Sequence, residues 1–288
     1  MKFGMMFANV GDYATPSEAI AFAELCEDIG IESLWTVEHT VVPKNYASAY
    51  PYSADGKMAG GKDDFVLPDP LIWMAYVAAA TSKIKLATGV LILPQHNPVI
   101  TAKQVATIDH LSGGRVMLGV GVGWMKEEFD AIGAPFKKRG RRADEYIAAM
   151  RELWSSDEPT FAGEFVNFTS AYCLPQPVDK RVPIVIGGDS DAAARRAGRL
   201  GDGYFPIKGL PPERIALMRE AALAEDRDPD AIELSTLLMP NKLDQIPDLA
   251  AQGVSRVVLP SATGAGTLIK TDADAAHWRD AIARYAGE

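Results

Sequence analysis

Residues 84–124, IKLATGVLILPQHNPVITAKQVATIDHLSGGRVMLGVGVGW, read as a strand, a capped helix and a second strand that breaks into alternating glycines. Ile84 to Leu93 is a nearly uninterrupted apolar, β-branched run, the pattern of a strand covered on both faces as in parallel sheets. Asn97 at an N-cap can accept a bond from an early helical N–H, and Pro98 at the first helical position gives up no bond the helix needs. Arg115 to Val120 is the next buried strand. Gly119, Gly121 and Gly123 then leave side chains missing where a flat ligand can meet backbone. The stretch therefore has the makings of a site for a cofactor with a ring and a phosphate.

The same alternation runs along the whole chain. Lys2 to Ala8 is a strand, and Thr15-Pro16-Ser17-Glu18 offers a capping box with Pro at the first helical position. Ala19, Phe22, Ala23 and Cys26 then form one buried helical stripe that Gly30 stops. Ser33 to Val37 is the second strand. A long aromatic and glycine-rich segment, Thr40 to Pro68, precedes a helix opening at Asp69-Pro70, and an excursion of that length usually serves function. Beyond Trp124 come an excursion over 125–140, a helix through Tyr146 to Trp154 and a hairpin within 160–177. Strands are expected at Pro183 to Ile186, Gly203 to Pro206, Leu234 to Leu238 and Arg256 to Leu259, with helices between and after them. Eight βα units predict a TIM (β/α)8 barrel with insertion segments, whose ligands bind at the C-terminal ends of the strands.

Composition agrees. With 288 residues and 48% hydrophobic content, residues 1–288 are expected to form one barrel domain. A net charge of −9 argues against a nucleic-acid groove. Cys26 and Cys173 lack metal or disulfide spacing, so reduced thiols and no metal site are expected. The chain enters its first strand directly, and no apolar segment approaches the ~20 residues of a membrane helix, so the expectation is a cytoplasmic protein without a membrane partner.

SLWTVEH at 33–39, residues 87–124, VPIVIGG at 182–188 and AGRLGDGYF at 197–205 resemble, in order and spacing, the luciferase-like family of flavin- or deazaflavin-dependent oxidoreductases. The resemblance covers nearly the whole chain and is greatest to the branch using the deazaflavin coenzyme F-420, with FMN as the alternative cofactor. It implies an oxidoreductase that transfers a hydride between the deazaflavin coenzyme and a small organic substrate, with an FMN-dependent luciferase-like monooxygenase as the alternative, and a homodimer. In that family a histidine matching His39 faces the cofactor ring, where imidazole can assist proton transfer near neutral pH. Gly89 and Val90 match a strand bulge that carries a non-proline cis peptide behind the ring. Gly121, Val122 and Gly123 would bring backbone to the ring and its ribityl chain, while Gly187, Gly188 and Ser190 would hold the phosphate at a helix start. The branch's sugar-phosphate dehydrogenase has a carboxylate where this chain has Trp124. That departure argues against sugar-phosphate oxidation and makes Trp124 part of an apolar substrate wall; Trp35 and, from the long loop, Tyr46 are also expected in the pocket.

Each assignment has a plainer counterpart. His39 can be a core histidine, the glycines a tight strand exit, and Ser190 or Asp189 a capping turn. Tyr46, Tyr50, Tyr52 and Phe65 can wall a pocket or merely pin their loop, and Lys44, Lys57 and Lys208 can meet anions or only water. Glu127 and Glu128 read as an exposed helix face. A Rossmann reading fails because neither G-x-G-x-x-G register over 119–126 finds its third glycine. A hydrolase reading of Gly188-Asp189-Ser190-Asp191-Ala192 lacks the second glycine, and His277 is the only later histidine. A non-catalytic flavin-binding barrel would keep the same glycines.

Overall fold

In the computed structural model, which describes residues 1–58, 63–263, 266–267, 269 and 272–286, the apolar runs become eight parallel strands closed into a barrel. These are β1 (Lys2–Met6), β2 (Ser33–Thr36), β3 (Lys85–Thr88), β4 (Val116–Gly121), β5 (Ile184–Gly187), β6 (Gly203–Phe205), β7 (Glu233–Leu237) and β8 (Val254–Pro260). Neighbours pair in that order, and β1 closes the ring by pairing with both β2 and β8, Gly4 lying opposite Ser33 on one side and Val258 on the other. The helices outside are α1 (Pro16–Asp28), α2 (Pro70–Ala78), α3 (Pro98–Ser112), α4 (Lys126–Ala131), α5 (Arg139–Ser155), α6 (Asp191–Leu200), α7 (Pro212–Leu223), α8 (Ile246–Ala251) and α9 (Asp272–Tyr285). The expected hairpin is present as two short antiparallel strands at 161–162 and 167–168.

Alternate residues of each strand divide between two cores. Outward-facing ones pack under the helices, whereas Met6, Trp35, Ala87, Met117, Val185, Phe205 and Val258 fill the barrel interior with Leu237 packed against them. Every strand thus contributes to the inner layer, as a filled barrel requires. Asp69 and Asn97 cap as expected, Asp69 accepting from the N–H of Ile72 and Asn97 from those of Val99 and Ile100. Thr15 does not. Its hydroxyl donates to the Asp12 carbonyl at 3.1 Å, so α1 starts at Pro16 without the capping box.

The run 84–93 is also not one continuous strand. β3 stops at Thr88, the Gly89–Val90 peptide is cis, and pairing resumes at Leu91–Ile92, where Leu91 lies opposite Val120.

At the opposite, N-terminal end of the barrel the fully buried Arg256 guanidinium is forked between two carboxylates. Its Nε and Nη2 donate to Glu32 at 2.9 and 3.0 Å, and its Nη1 donates to Glu233 at 2.8 Å, joining β8 to β7 and to the turn before β2. Burial pushes the Glu32 carboxyl upward, but the Arg256 bonds and charge outweigh it and hold the group at about 2. A folded value below the ~4.3 of an unfolded glutamate means that this contribution is complete above about pH 4.3 and disappears as pH falls toward 2. Replacing Arg256 by Ala leaves two carboxylates without their buried partner and is expected to cost about 3–5 kcal/mol at neutral pH. Urea unfolding at several pH values should show that the variant lacks the wild type's acid-side loss; an identical acid slope would contradict the role given to this triad.

Candidate active site

The C-terminal ends of β3, β4 and β5 meet at Val90. A Cβ added to Gly121 on β4 would lie 2.5 Å from Val90 Cγ2, and one on Gly187 of β5 would lie 2.4 Å from Val90 Cγ1. A Cβ on Gly119 would come within 1.8 Å of the Thr88 carbonyl oxygen. These glycines therefore admit the bulged β3 rather than leaving bare backbone for a ligand, a correction to the expectation for Gly121. Gly123 similarly makes room for Ile92 and Phe129, each 2.7 Å from its would-be Cβ. Gly89 faces Met6 and Trp35, and Val122 is half-buried at the β4 exit. The Val90 side chain thus bridges β3, β4 and β5 at the mouth.

Trp35 belongs lower down. It is 0% exposed within the inner barrel layer and its indole N–H donates to Ser33 Oγ at 2.9 Å, so it supports the floor and is not a pocket wall. Trp124 is half-buried at the mouth, edge-on to His39 at 5.9 Å, to Tyr46 at 5.6 Å and to Tyr50 at 5.2 Å between ring centroids. Tyr46 is buried with Met58 and Met125, and its hydroxyl donates to Asp63, so it pins the long loop. Lys208 is likewise committed, its Nζ donating to the Pro51 carbonyl at 2.6 Å. Lys57 lies 5.0 Å from the centre of the Tyr46 ring.

Two histidines at the mouth each meet a buried carboxylate. His39 Nδ1 lies 3.0 Å from Glu128 Oε2, and Glu128 Oε1 accepts from the N–H groups of Thr40 at 2.7 Å and Val41 at 3.4 Å. His96 Nε2 lies 2.7 Å from Glu38 Oε1, whose other oxygen accepts from the N–H of Ile92 on the far side of the bulge. Burial alone would lower the His96 imidazole, but the Glu38 bond and charge outweigh it and raise it above its ordinary value. The expectation of an exposed Glu128 was wrong: it is 0% exposed, because the loop after β2 covers α4. Glu127 binds the same loop through Ala47 N–H, Ser48 N–H and Ser48 Oγ, and the Ser48 hydroxyl and these amides hold it at about 2. Asn9, buried at the end of β1, ties both ends of the loop by donating to the Val37 and Pro68 carbonyls and accepting from Val37 N–H.

At the end of β5, Gly188 adopts φ +117°, which a side chain would strain, so a Gly188→Val variant would test folding as well as ligand binding. Ser190 is the α6 N-cap, its hydroxyl oxygen accepting from Ala193 N–H at 3.2 Å. That hydroxyl is occupied in capping rather than in a nucleophile's relay. Asp189 turns away from the helix start: its Oδ1 accepts from Lys208 N–H at 2.8 Å and lies 3.9 Å from Arg214.

The luciferase-like monooxygenase family model matches residues 1–241, and the chain belongs to that family. An uncharacterized protein of Mycobacterium tuberculosis strain H37Rv is 32% identical over 263 residues, covering 90% of this chain and 91% of the relative. An F420-dependent glucose-6-phosphate dehydrogenase of Amycolatopsis mediterranei is 32% identical over 198 residues, 67% of this chain but 54% of that protein. Among solved structures, an F420-dependent secondary alcohol dehydrogenase in complex with an F420-acetone adduct superposes with a TM-score of 0.77 at 18% identity, covering 98% of both chains, and has the same fold.

The seat of Val90 yields a direct prediction. Gly121→Ala forces its methyl against Val90 and should destabilise the protein by about 1–3 kcal/mol in denaturant unfolding. Combining it with Val90→Ala should recover much of that loss. Additive losses in the double variant would show that Val90 is not what Gly121 accommodates.

Proposed function

We propose that this enzyme transfers a hydride between coenzyme F-420 and a small, predominantly apolar organic substrate at the barrel mouth. The observation that carries the chemistry is His39, the half-buried imidazole held between the Glu128 carboxylate and the Trp124 ring. The cofactor choice is supported by the 32% identity to an F420-dependent dehydrogenase across two-thirds of the chain.

The residues at the mouth fit a flavin-type group. Gln95, beside His96, has a carboxamide whose nitrogen and oxygen are buried without partners among the described residues, and a paired donor and acceptor suits the edge of a pyrimidine ring. Gly188 and the start of α6 would bring backbone and a helix dipole to a phosphate, with Asp191 in the helix's first turn as an opposing charge there. Asp189 Oδ1 accepts from Lys208 N–H and lies 3.9 Å from Arg214, while its Oδ2 is buried without a hydrogen-bond partner among the described residues. Gly89 and Val90 on the bulge, with Val122 at the β4 exit, would line the cofactor site. Bound there, the reduced deazaflavin supplies a hydride.

His39 would give or take the accompanying proton, as a positioned imidazole does near neutral pH. Trp124 and Tyr50 would face the substrate and exclude water, which favours alcohols, carbonyl compounds or flat unsaturated molecules over sugar phosphates. The family resemblance puts Trp124 at the position of the sugar-phosphate enzyme's carboxylate, which supports a substrate other than a sugar phosphate.

Calorimetric titration with coenzyme F-420, FMN and FAD should give tightest binding to F-420, and a reversed order would overturn the cofactor assignment. His39→Ala should bind the coenzyme nearly as well as wild type while hydride transfer in a single turnover falls about 10²–10⁴-fold. Full turnover by a folded His39→Ala protein would remove His39 from the chemistry.

A further inference from the structure

The two oxygens of Glu128 face different groups, and this division defines what the residue does. Oε1 is occupied by the N–H groups of Thr40 and Val41, which immediately follow His39. Oε2 is directed at His39 Nδ1 at 3.0 Å. The side chain of Glu128 is 1% exposed and that of His39 12%. Two backbone donors thus orient the carboxylate before the imidazole meets it, and the remaining oxygen can only accept. Nδ1 must then carry the shared hydrogen. Nε2 has no hydrogen-bond partner among the described residues. Trp124, edge-on at 5.9 Å, restricts the ring from another side. The other histidine–carboxylate pair at the mouth, His96 with Glu38, is joined to Ile92 N–H and makes no bond to His39.

We propose that Glu128 is the positioning residue for His39, taking its Nδ1–H so that the ring is held in one tautomer with Nε2 presented to the reacting molecule. A histidine ring can otherwise place its proton on either nitrogen, and the bond made by one nitrogen decides the state of the other. Without that constraint the lone pair or proton at Nε2 would be available only part of the time. Glu128 also joins this choice to the placement of the chain just after His39, since the carboxylate that orients the ring is itself oriented by the Thr40 and Val41 amides. This inference rests on His39 as the proton-handling group.

The chain has four histidines, so their ring nitrogens can be assigned by nitrogen-detected NMR with single substitutions. In wild-type protein His39 should be protonated at Nδ1 when neutral. In Glu128→Gln the amide oxygen can retain the Thr40 and Val41 bonds while its NH2 group faces Nδ1 as a donor, so the hydrogen should move to Nε2. Turnover should then fall about 10²-fold or more with little change in coenzyme affinity, and Glu128→Asp, which keeps a carboxylate, should restore part of the rate. An Nε2–H tautomer in the wild type would overturn the proposal even if the Gln variant failed to fold. So would a folded Gln variant with unchanged tautomer, or one that lost only thermal stability. If His39→Ala retained full activity while the tautomer still switched with Glu128, the failure would lie in the catalytic reading of His39 and not in the positioning contact.

Discussion

Val90 packing into the space left by Gly121 and Gly187 is the contact from which the mouth of the barrel is built. A strand in register presents successive side chains to opposite faces, so β3 could not place a residue across two neighbouring strands without leaving its ladder. The interruption between Thr88 and Leu91 lets Val90 do so. Once the bulge is there, Gly121 and Gly187 have no room for a methyl group, and the continuation of β3 brings the Ile92 N–H onto Glu38. Glu38 in turn holds His96. The bulge therefore fixes both a shelf and a hydrogen-bonded side of the site.

The opposite side depends on how a long loop is kept over the mouth. Asn9 uses all three of its observed side-chain bonds to clamp the loop's two ends. Glu127 and Glu128, adjacent on α4, then fasten its first half, while Lys208 reaches Pro51 from beyond β6. Each anchor satisfies polar groups that an irregular segment would otherwise leave exposed or unpaired. The aromatic contacts among Tyr46, Tyr50 and Trp124 complete the cover with apolar area. Loop placement and imidazole placement are consequently joined, because Glu128 takes part in both.

The barrel was legible because its evidence is local: β-branched runs, helical stripes and the caps at Asp69 and Asn97 each lie within a short window. Thr15 shows where local evidence fails, since the hydroxyl had a competing acceptor in the preceding turn. The glycines of the fourth and fifth strands were visible, but their cause was not. Their partner is a side chain from a distant strand, and absence of a Cβ looks the same whether a ligand or Val90 occupies the space. Glu128 was hidden for a related reason. Helical position alone placed it with Glu127 on an exposed face, whereas its partner His39 lies 89 residues earlier in the chain and the covering loop has no periodicity. Trp35 was expected in the pocket, yet the alternation of β2 turns it into the barrel interior.

Charge is divided along the barrel axis in a way that bears on the anionic cofactor proposed for this acidic chain. At the N-terminal end, Glu32 and Glu233 are committed to Arg256. At the C-terminal end, Glu38, Glu127, Glu128 and Asp189 all accept from backbone amides, and Glu38 and Glu128 also meet histidines. A carboxylate whose oxygens already face donors presents less negative field to a neighbour than a free one, since those dipoles oppose its charge. The overall charge of −9 therefore gives a poor measure of the potential at the mouth, where Glu38, Glu127 and Glu128 are engaged and the start of α6 adds the positive end of a helix dipole beside Asp189 and Asp191.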